Sequence, residues 1–110
     1  MFSKELLALI HRALGDAAAY DALLGSLGKL ARIIKDARRL GCNAFRCTLR
    51  RDLRIELYFK GPDGHAMRRT LSFKRAYERS GKVYGFETAL LLRLAVESLV
   101  VVAGGIRLMT

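Results

Sequence analysis

Basic side chains recur at alternate positions in residues 43–75, a pattern suited to binding anions. This stretch carries nine Arg or Lys residues against three acids. Apolar and polar residues alternate along it, which predicts strands with one buried face and one face in water. The polar face predicted in this way has Tyr58 near its centre. Its basic members are Arg46, Arg50, Arg54, Lys60, Arg68 and Lys74.

Cations spaced along such a face can neutralise the phosphates of a nucleic acid, and a central tyrosine can stack on a base or a sugar. Basic residues are also in excess over the whole chain, which has 20 basic and 10 acidic residues among 110 and a net charge of +10. This balance is typical of proteins that contact phosphate or anionic membranes. Fourteen of the basic residues are Arg. Phosphate contact favours Arg, but genomic base composition explains that preference equally well.

Other chemistries find little support in the residue types. The spacing of the residues shows no Ser/His/Asp or Cys/His catalytic set, no phosphate-cradling glycine loop and no cluster of metal ligands. We therefore expect neither an enzyme nor a bound cofactor or metal. We expect Cys47 in the core and Cys42 as an exposed thiol. Glu56 is predicted to pair with Arg54 or Arg68, and not to act as a catalytic base.

The hydrophobic segments do not predict export or membrane insertion. No signal peptide is apparent, and the most apolar region, residues 88–109, is interrupted by Arg93, Glu97 and Arg107. We therefore expect a cytoplasmic protein. The sequence has no Gln and a single Asn, a scarcity of thermolabile amides that hints at a thermophilic source.

Two helices are predicted before the sheet. Ser3 is placed to cap the first helix, which Gly15 ends, and Asp16 is placed to cap a second helix that reaches Leu40. Gly25 and Gly28 in the second helix predict a kink or a close approach of another backbone. The last turns of this helix form a candidate second cationic surface. Its basic residues are Lys29, Arg32, Lys35, Arg38 and Arg39.

The strand pattern also predicts the turns. A three-residue loop at 50–52 would pair Leu49 with Leu53 and keep the apolar face sorted, and the sequence GPDG marks the next turn. Arg69 breaks the alternation because it falls on the apolar face. An unpaired guanidinium there is costly, so we expect either a β-bulge or a carboxylate partner, Glu87 or Glu97.

Residues 76–85 are predicted to be a polar connector, followed by a third helix over 86–103. This last helix is apolar on more than one face, and its excess apolar surface predicts self-association or a protein partner. Residues 99–109 can instead be read as a short hairpin around Gly104 and Gly105.

The predicted fold is therefore a single α+β domain over residues 1–110, in the order α-α-β-β-β-α. The sheet has three antiparallel strands, at about 43–75, and the C-terminal helix packs on its apolar face. The order of the last five elements resembles that of the double-stranded-RNA-binding domain. The resemblance is one of element order alone, because the position of that family's basic run holds Gly85, Phe86 and Glu87 here.

Two functions are predicted from these features. The first is a small basic protein that binds DNA or RNA, single- or double-stranded, with low sequence specificity through the cationic face of its sheet. The second is an architectural subunit, either a homodimer or a component of a nucleoprotein or viral assembly, that uses its apolar C-terminal helix. Attachment to an anionic membrane through residues 29–39 ranks lower, because the apolar face of that helix is needed for the core.

Overall fold

A computed structural model of the chain describes residues 2–109. It contains α1 (Lys4–Leu14), α2 (Ala17–Arg39), β1 (Ala44–Leu49), β2 (Ile55–Lys60), β3 (Ala66–Leu71), α3 (Lys74–Glu78), α4 (Phe86–Val102) and β4 (Arg107–Leu108). The strands form one sheet in the order β3-β2-β1-β4. Strands β1, β2 and β3 pair antiparallel, and β4 runs parallel to β1.

The α+β class and the antiparallel arrangement of the first three strands are confirmed, but the predicted strand number and order are wrong. The prediction lacked β4, whose two residues are too few to show a period. It also lacked α3, a helix of five residues that spans the end of the predicted third strand and the start of the segment predicted as a polar connector.

Local capping chemistry accounts for the two N-terminal helices. The Ser3 hydroxyl accepts the Leu6 N–H at 3.1 Å, and Gly15 ends α1 at a φ of 62°. The Asp16 carboxylate accepts the Ala18 N–H at 2.8 Å and starts α2. Each of these three residues has the role that the sequence predicts.

The glycines of α2 behave differently from the prediction. The helix runs unbroken from Ala17 to Arg39. A Cβ placed on Gly25 or Gly28 would meet no atom within 4 Å, so the predicted close approach of another backbone is wrong. Both glycines lie on the exposed side of the helix.

The core lies between the sheet and the helices. Most side chains on the inner face of the sheet are buried, and Phe45, Leu57 and Phe59 are fully buried. Buried residues of α2 and α4, such as Leu30 and Val96, belong to the same hydrophobic cluster. Burying each large apolar side chain contributes roughly 1.5–3 kcal/mol. The opposite side of the sheet, the outer face, consists of the side chains Ala44, Arg46, Thr48, Glu56, Tyr58, Lys60, Ala66, Arg68, Thr70 and Arg107.

The first hairpin loop is longer than predicted. Leu49 pairs with Ile55 and not with Leu53, so the loop has five residues. The Asp52 carboxylate accepts the Arg54 N–H at 3.2 Å, and Leu53 adopts a φ of 66°. This hydrogen bond from the backbone to the Asp52 side chain stabilises the turn in the longer loop. The register differs from the prediction by two residues, which leaves the side chains within β1 and β2 on their predicted faces.

Arg69 has a partner other than those predicted. Its strand pairs with β2 without a bulge, and Arg69 lies opposite Leu57. One guanidinium nitrogen donates to the Arg68 carbonyl at 2.8 Å, and the other lies 3.9 Å from the Asp36 carboxylate of α2. The bulge and the pairing with Glu87 or Glu97 are therefore wrong. Because β3 is at the edge of the sheet, a long side chain can leave the inner face and reach water.

The C-terminal segment is a helix followed by a strand. The helix α4 confirms the helical reading of this region, and the hairpin reading is wrong because β4 pairs with β1. A Cβ on Gly104 would lie 2.6 Å from the Val100 carbonyl oxygen, so this turn requires glycine. The chain then enters the sheet, where the Arg107 and Met109 N–H groups donate to the Asn43 and Phe45 carbonyls.

Both cysteines are free and buried. Cys47 lies in the core as predicted, but the exposed thiol predicted for Cys42 is wrong, since this residue is packed within the hydrophobic cluster. Burial raises the pKa of Cys47 to about 12 and also raises the pKa of Cys42. Neither thiol is therefore ionised near neutral pH.

Candidate nucleic-acid interface

Three side chains line up across the outer face of the sheet. Arg46 of β1 pairs with Tyr58 of β2, and Tyr58 pairs in turn with Arg68 of β3. The guanidinium carbons of Arg46 and Arg68 lie 5.4 and 5.3 Å from the centre of the tyrosine ring. Because β1 and β3 flank β2 on opposite sides, the two guanidinium groups cover opposite sides of the ring.

This arrangement holds two positive charges at a set distance. The two arginines are two interstrand spacings apart, which is about 10 Å. Each cation–π contact contributes about 0.5–1 kcal/mol at an exposed site, and both arginines are exposed. With both sides of its ring covered, Tyr58 acts as a spacer between the guanidinium groups. A nucleic-acid base would have to displace one of them to stack on the ring.

A second row of side chains continues the positive surface. Lys60 of β2 lies between Ala44 of β1 and Ala66 of β3, and Arg107 of β4 lies on the other side of Ala44. Both cations are exposed, and the alanine between them is buried. Lys60 and Arg107 line a cleft of about 230 Å³. Its other lining residues are Asn43, Ala44, Gly61, Pro62 and Met109.

Arg107 is a member of this surface that the sequence prediction lacked. The parallel pairing of β4 with β1 brings it onto the outer face. A local signal is nevertheless present, because Ile106 is buried, Arg107 is exposed and Leu108 is half-buried. This alternation over three residues is too short to be distinguished from a coil without the partner strand.

The other end of the outer face is close to neutral. Its row consists of Thr48, Glu56 and Thr70. The Glu56 carboxylate lies 4.0 Å from the Arg50 guanidinium, so the predicted pairing of Glu56 with Arg54 or Arg68 is wrong.

Arg50 and Arg54 extend from this neutral end into the hairpin loop. Asp52 lies 3.9 Å from the Arg50 guanidinium and 3.5 Å from that of Arg54. Exposed ion pairs of this kind contribute little stability, but the acids offset the local positive potential. Within the outer face, the positive charge is therefore concentrated at the end formed by Arg46, Lys60 and Arg68, together with Arg107.

The predicted binding residues thus fall into three places. Arg46, Tyr58, Lys60 and Arg68 come together on the outer face, and Arg50 and Arg54 lie at the hairpin loop. Lys74 is not on the sheet, because the strand ends at Leu71 and Lys74 is the first residue of α3. The cations of α2 are also separate, since this helix packs with the inner side of the sheet.

Side chains that could hold a metal ion are scattered over the part of the chain that the structure describes. Across residues 2–109, no group of three or more His, Cys, Asp or Glu side chains is placed to hold a metal ion. The His65 imidazole lies 2.8 Å from the Asp63 carboxylate in an exposed turn. None of the helices in the described part of the chain combines the length and hydrophobicity that a bilayer span needs.

Comparison with known proteins finds no relative of this chain. The chain matches no protein-family model, no curated protein and no solved structure. The geometry and charge of the outer face therefore carry the functional inference.

Proposed function

We propose that this protein binds nucleic acid with low sequence specificity through the outer face of its sheet. The observation that carries the proposal is the row in which the exposed Arg46 and Arg68, on strands about 10 Å apart, both contact the Tyr58 ring. Guanidinium groups bind phosphate oxygens through paired hydrogen bonds, and a preferred position of each group lowers the entropy lost on binding. We also propose a reducing, cytoplasmic location, in which Cys42 and Cys47 remain thiols.

Low sequence specificity is expected from the flat shape of this face more than from its arginines, which can also contact bases. Base identity is read mainly by Arg, Asn, Gln and acidic side chains that enter a groove of the duplex. The outer face is a sheet surface without a projecting helix, and the chain contains no Gln and a single Asn. Its guanidinium and ammonium groups are suited to phosphates, which DNA and RNA share in single- and double-stranded forms.

The test is a charge reversal on the row, compared with an equal charge change elsewhere. We expect Arg46→Glu/Arg68→Glu to weaken the binding of a mixed-sequence oligonucleotide at least 100-fold while the melting temperature stays within a few degrees. The control Arg12→Glu/Arg32→Glu changes two exposed helical arginines and the net charge by the same amount. Equal losses in the two variants would show that net charge alone governs binding, and would refute the outer face as the interface.

A second candidate function, an architectural subunit that self-associates, is favoured by an aliphatic surface on α1 and α4. Leu9 of α1 is 56% exposed, and Leu91, Leu94, Val101 and Val102 of α4 are 40 to 65% exposed. Together these side chains form an aliphatic surface in water, and the central part of a protein–protein interface is more apolar than the rest of a protein surface.

We infer that a second copy of this chain covers that surface. Between α1 and α4 lies a groove of about 110 Å³, close to the volume of a leucine side chain, and Ala13, Leu91 and Leu94 are among its lining residues. Leu9 lies one helical turn before Ala13 on the same side of α1. A protruding leucine and a leucine-sized groove on one surface are what a two-fold symmetric interface needs. Because these side chains are uncharged, two molecules of net charge +10 can meet there.

Sedimentation equilibrium tests this second function. We expect the wild-type chain to form a dimer at micromolar concentration and Leu94→Glu to be a monomer. Leu24→Glu on α2, which alters a leucine of similar exposure (40%, against 45% for Leu94), serves as the matched control and should remain dimeric. A monomeric wild type would refute self-association, and loss of the dimer in the control alone would place the interface on α2.

A further inference from the structure

The four cations at the positive end of the outer face alternate between two rows. Lys60 and Arg107 lie in one row, on β2 and β4, whereas Arg46 and Arg68 lie in the next row, on β1 and β3. Rows on one face are about 7 Å apart along the strands, and neighbouring strands are about 5 Å apart. Each strand therefore contributes one cation, and successive cations across the sheet are about 8 Å apart at the backbone.

This order gives the outer face a direction. A polyanion that crosses the strands meets Arg107, Arg46, Lys60 and Arg68 in turn. A polyanion that follows β2 instead passes from Lys60 over Tyr58 to Glu56, whose carboxylate repels phosphate, and then reaches the acid of the hairpin loop, Asp52. Coulomb repulsion disfavours the second direction, and the uncompensated cations favour the first.

The cleft at the β4 side of this path has the composition of a phosphate site. Lys60 and Arg107 lie on either side of the buried Ala44, and Asn43 also lines the cleft. Among the described residues, no carboxylate lines this cleft. The acid in the adjacent turn, Asp63, accepts the His65 N–H and pairs with its imidazole. A volume of about 230 Å³ is larger than a phosphate group and leaves room for part of the attached sugar.

We propose that the backbone of a nucleic acid crosses the strands from β4 to β3, with one phosphate seated in the cleft between Lys60 and Arg107. This inference rests on the proposed binding of nucleic acid through the outer face, and adds to it a path and a specific subsite. Arg107 is then a binding residue, whereas Arg54 lies off the path, paired with Asp52 in the hairpin loop.

The decisive comparison is between Arg107→Gln and Arg54→Gln, which remove the same charge from two exposed positions. The probes are a fluorescein-labelled single-stranded DNA 12-mer and a DNA duplex of the same length, titrated at several salt concentrations. Loss of one phosphate contact lowers the slope of log K against log[salt] by about 0.7 for the single strand or 0.9 for the duplex. At 0.1 M salt we therefore expect Arg107→Gln to bind about five- to eightfold more weakly, with Arg54→Gln within about twofold of wild type.

Backbone amide chemical shifts test where the nucleic acid makes contact. On titration with the 12-mer, the backbone amide resonances of Ala44 and Gly61, beside the cleft, should shift more than those of Thr48 and Thr70 at the neutral end. The β4 pairing uses backbone groups of Arg107, so the glutamine variant should keep its melting temperature.

The possible failures can be told apart. If Arg107→Gln binds like wild type while the Arg46→Glu/Arg68→Glu variant loses binding, the proposed function stands and the path is refuted. Equal losses in Arg107→Gln and Arg54→Gln would also refute the path, since only one of these residues lies on it. If the Arg46→Glu/Arg68→Glu variant binds no more weakly than the Arg12→Glu/Arg32→Glu control, the outer face is not the interface and the proposed function itself fails.

Discussion

Replacing Asp16 by alanine would remove one carboxylate that joins three separate segments of the chain. One of its oxygens accepts the Ala18 N–H at 2.8 Å and the Lys82 ammonium at 3.1 Å. The other accepts the Tyr77 hydroxyl at 2.8 Å, from a residue 61 positions away in sequence. Asp16 thus starts α2 and also holds the segment from α3 to α4 against it.

The size of the effect can be worked out from these contacts. An N-cap contributes about 1 kcal/mol, a hydrogen bond to a charged acceptor contributes about 1.5 kcal/mol, and an exposed ion pair adds a few tenths. We therefore expect Asp16→Ala to lower the free energy of unfolding by about 2–3 kcal/mol. For a chain of this length this corresponds to a melting temperature lower by roughly 10–15 °C.

The pH dependence supplies an independent check on the same group. Hydrogen bonds from Tyr77 and then from Lys82 lower the pKa of Asp16 from 3.8 to about 2. Since its pKa is lower in the folded state, the carboxylate stabilises the fold fully above pH 3.8 and loses this contribution as the pH falls towards 2. The side chain is 27% exposed, and solvent screening limits this contribution to about 1–2 kcal/mol.

Urea denaturation at pH 6 and at pH 2.5 measures both effects. The set of variants is Asp16→Ala, Tyr77→Phe and their double mutant, with Asp21→Ala as a control for loss of an exposed acid from the same helix. The double-mutant cycle should give a coupling of about 1 kcal/mol at pH 6 that shrinks at pH 2.5. The reasoning is refuted if Asp16→Ala is no more destabilising than Asp21→Ala, or if the difference between wild type and Asp16→Ala is as large at pH 2.5 as at pH 6.

Three further outcomes follow from the structure. Gly104→Ala should lower the free energy of unfolding by about 1–3 kcal/mol because its Cβ would lie 2.6 Å from a backbone oxygen. Gly25→Ala, whose Cβ would meet no atom, should raise the free energy of unfolding by about 1 kcal/mol. Urea titrations that rank the two variants in the reverse order would contradict this. Neither Cys42 nor Cys47 should react with a thiol-specific reagent at pH 8 until denaturant is added, and rapid labelling of the native protein would contradict their burial. Tyr58→Phe should bind oligonucleotides within about twofold of wild type because the ring is retained, and Tyr58→Ala should bind several-fold more weakly because both guanidinium groups lose their support. Equal binding by the two tyrosine variants would show that the ring is not a spacer.

The parts of the fold that were predicted correctly depend on residues close together in sequence. Ser3 and Asp16 cap helices through N–H groups two or three residues away, and Gly15 ends a helix by its own backbone conformation. Period-two alternation likewise sorts the side chains of the first three strands, so that Leu57 is buried and Arg46 is exposed. These preferences are local, and the tertiary structure preserves them.

The sequence could not predict features that depend on contacts between distant segments. The two residues of β4 become a strand only because β1 offers unpaired backbone groups, and this pairing brings Arg107 onto the outer face. Arg69 meets Asp36 because β3 is at the edge of the sheet. No local pattern encodes these partners, since each contact depends on which elements end up side by side.

The sequence by itself determined that this chain has a strongly basic, two-sided sheet with Arg46, Tyr58 and Arg68 on its polar face. Only the tertiary structure decided that these three residues form a single row and that Lys60 and Arg107 frame a cleft beside it. Alternation assigns each side chain to a face, whereas strand order and register decide which side chains on that face are neighbours. The second property depends on loop length and on pairing across the whole chain, and it determines where an anion can bind.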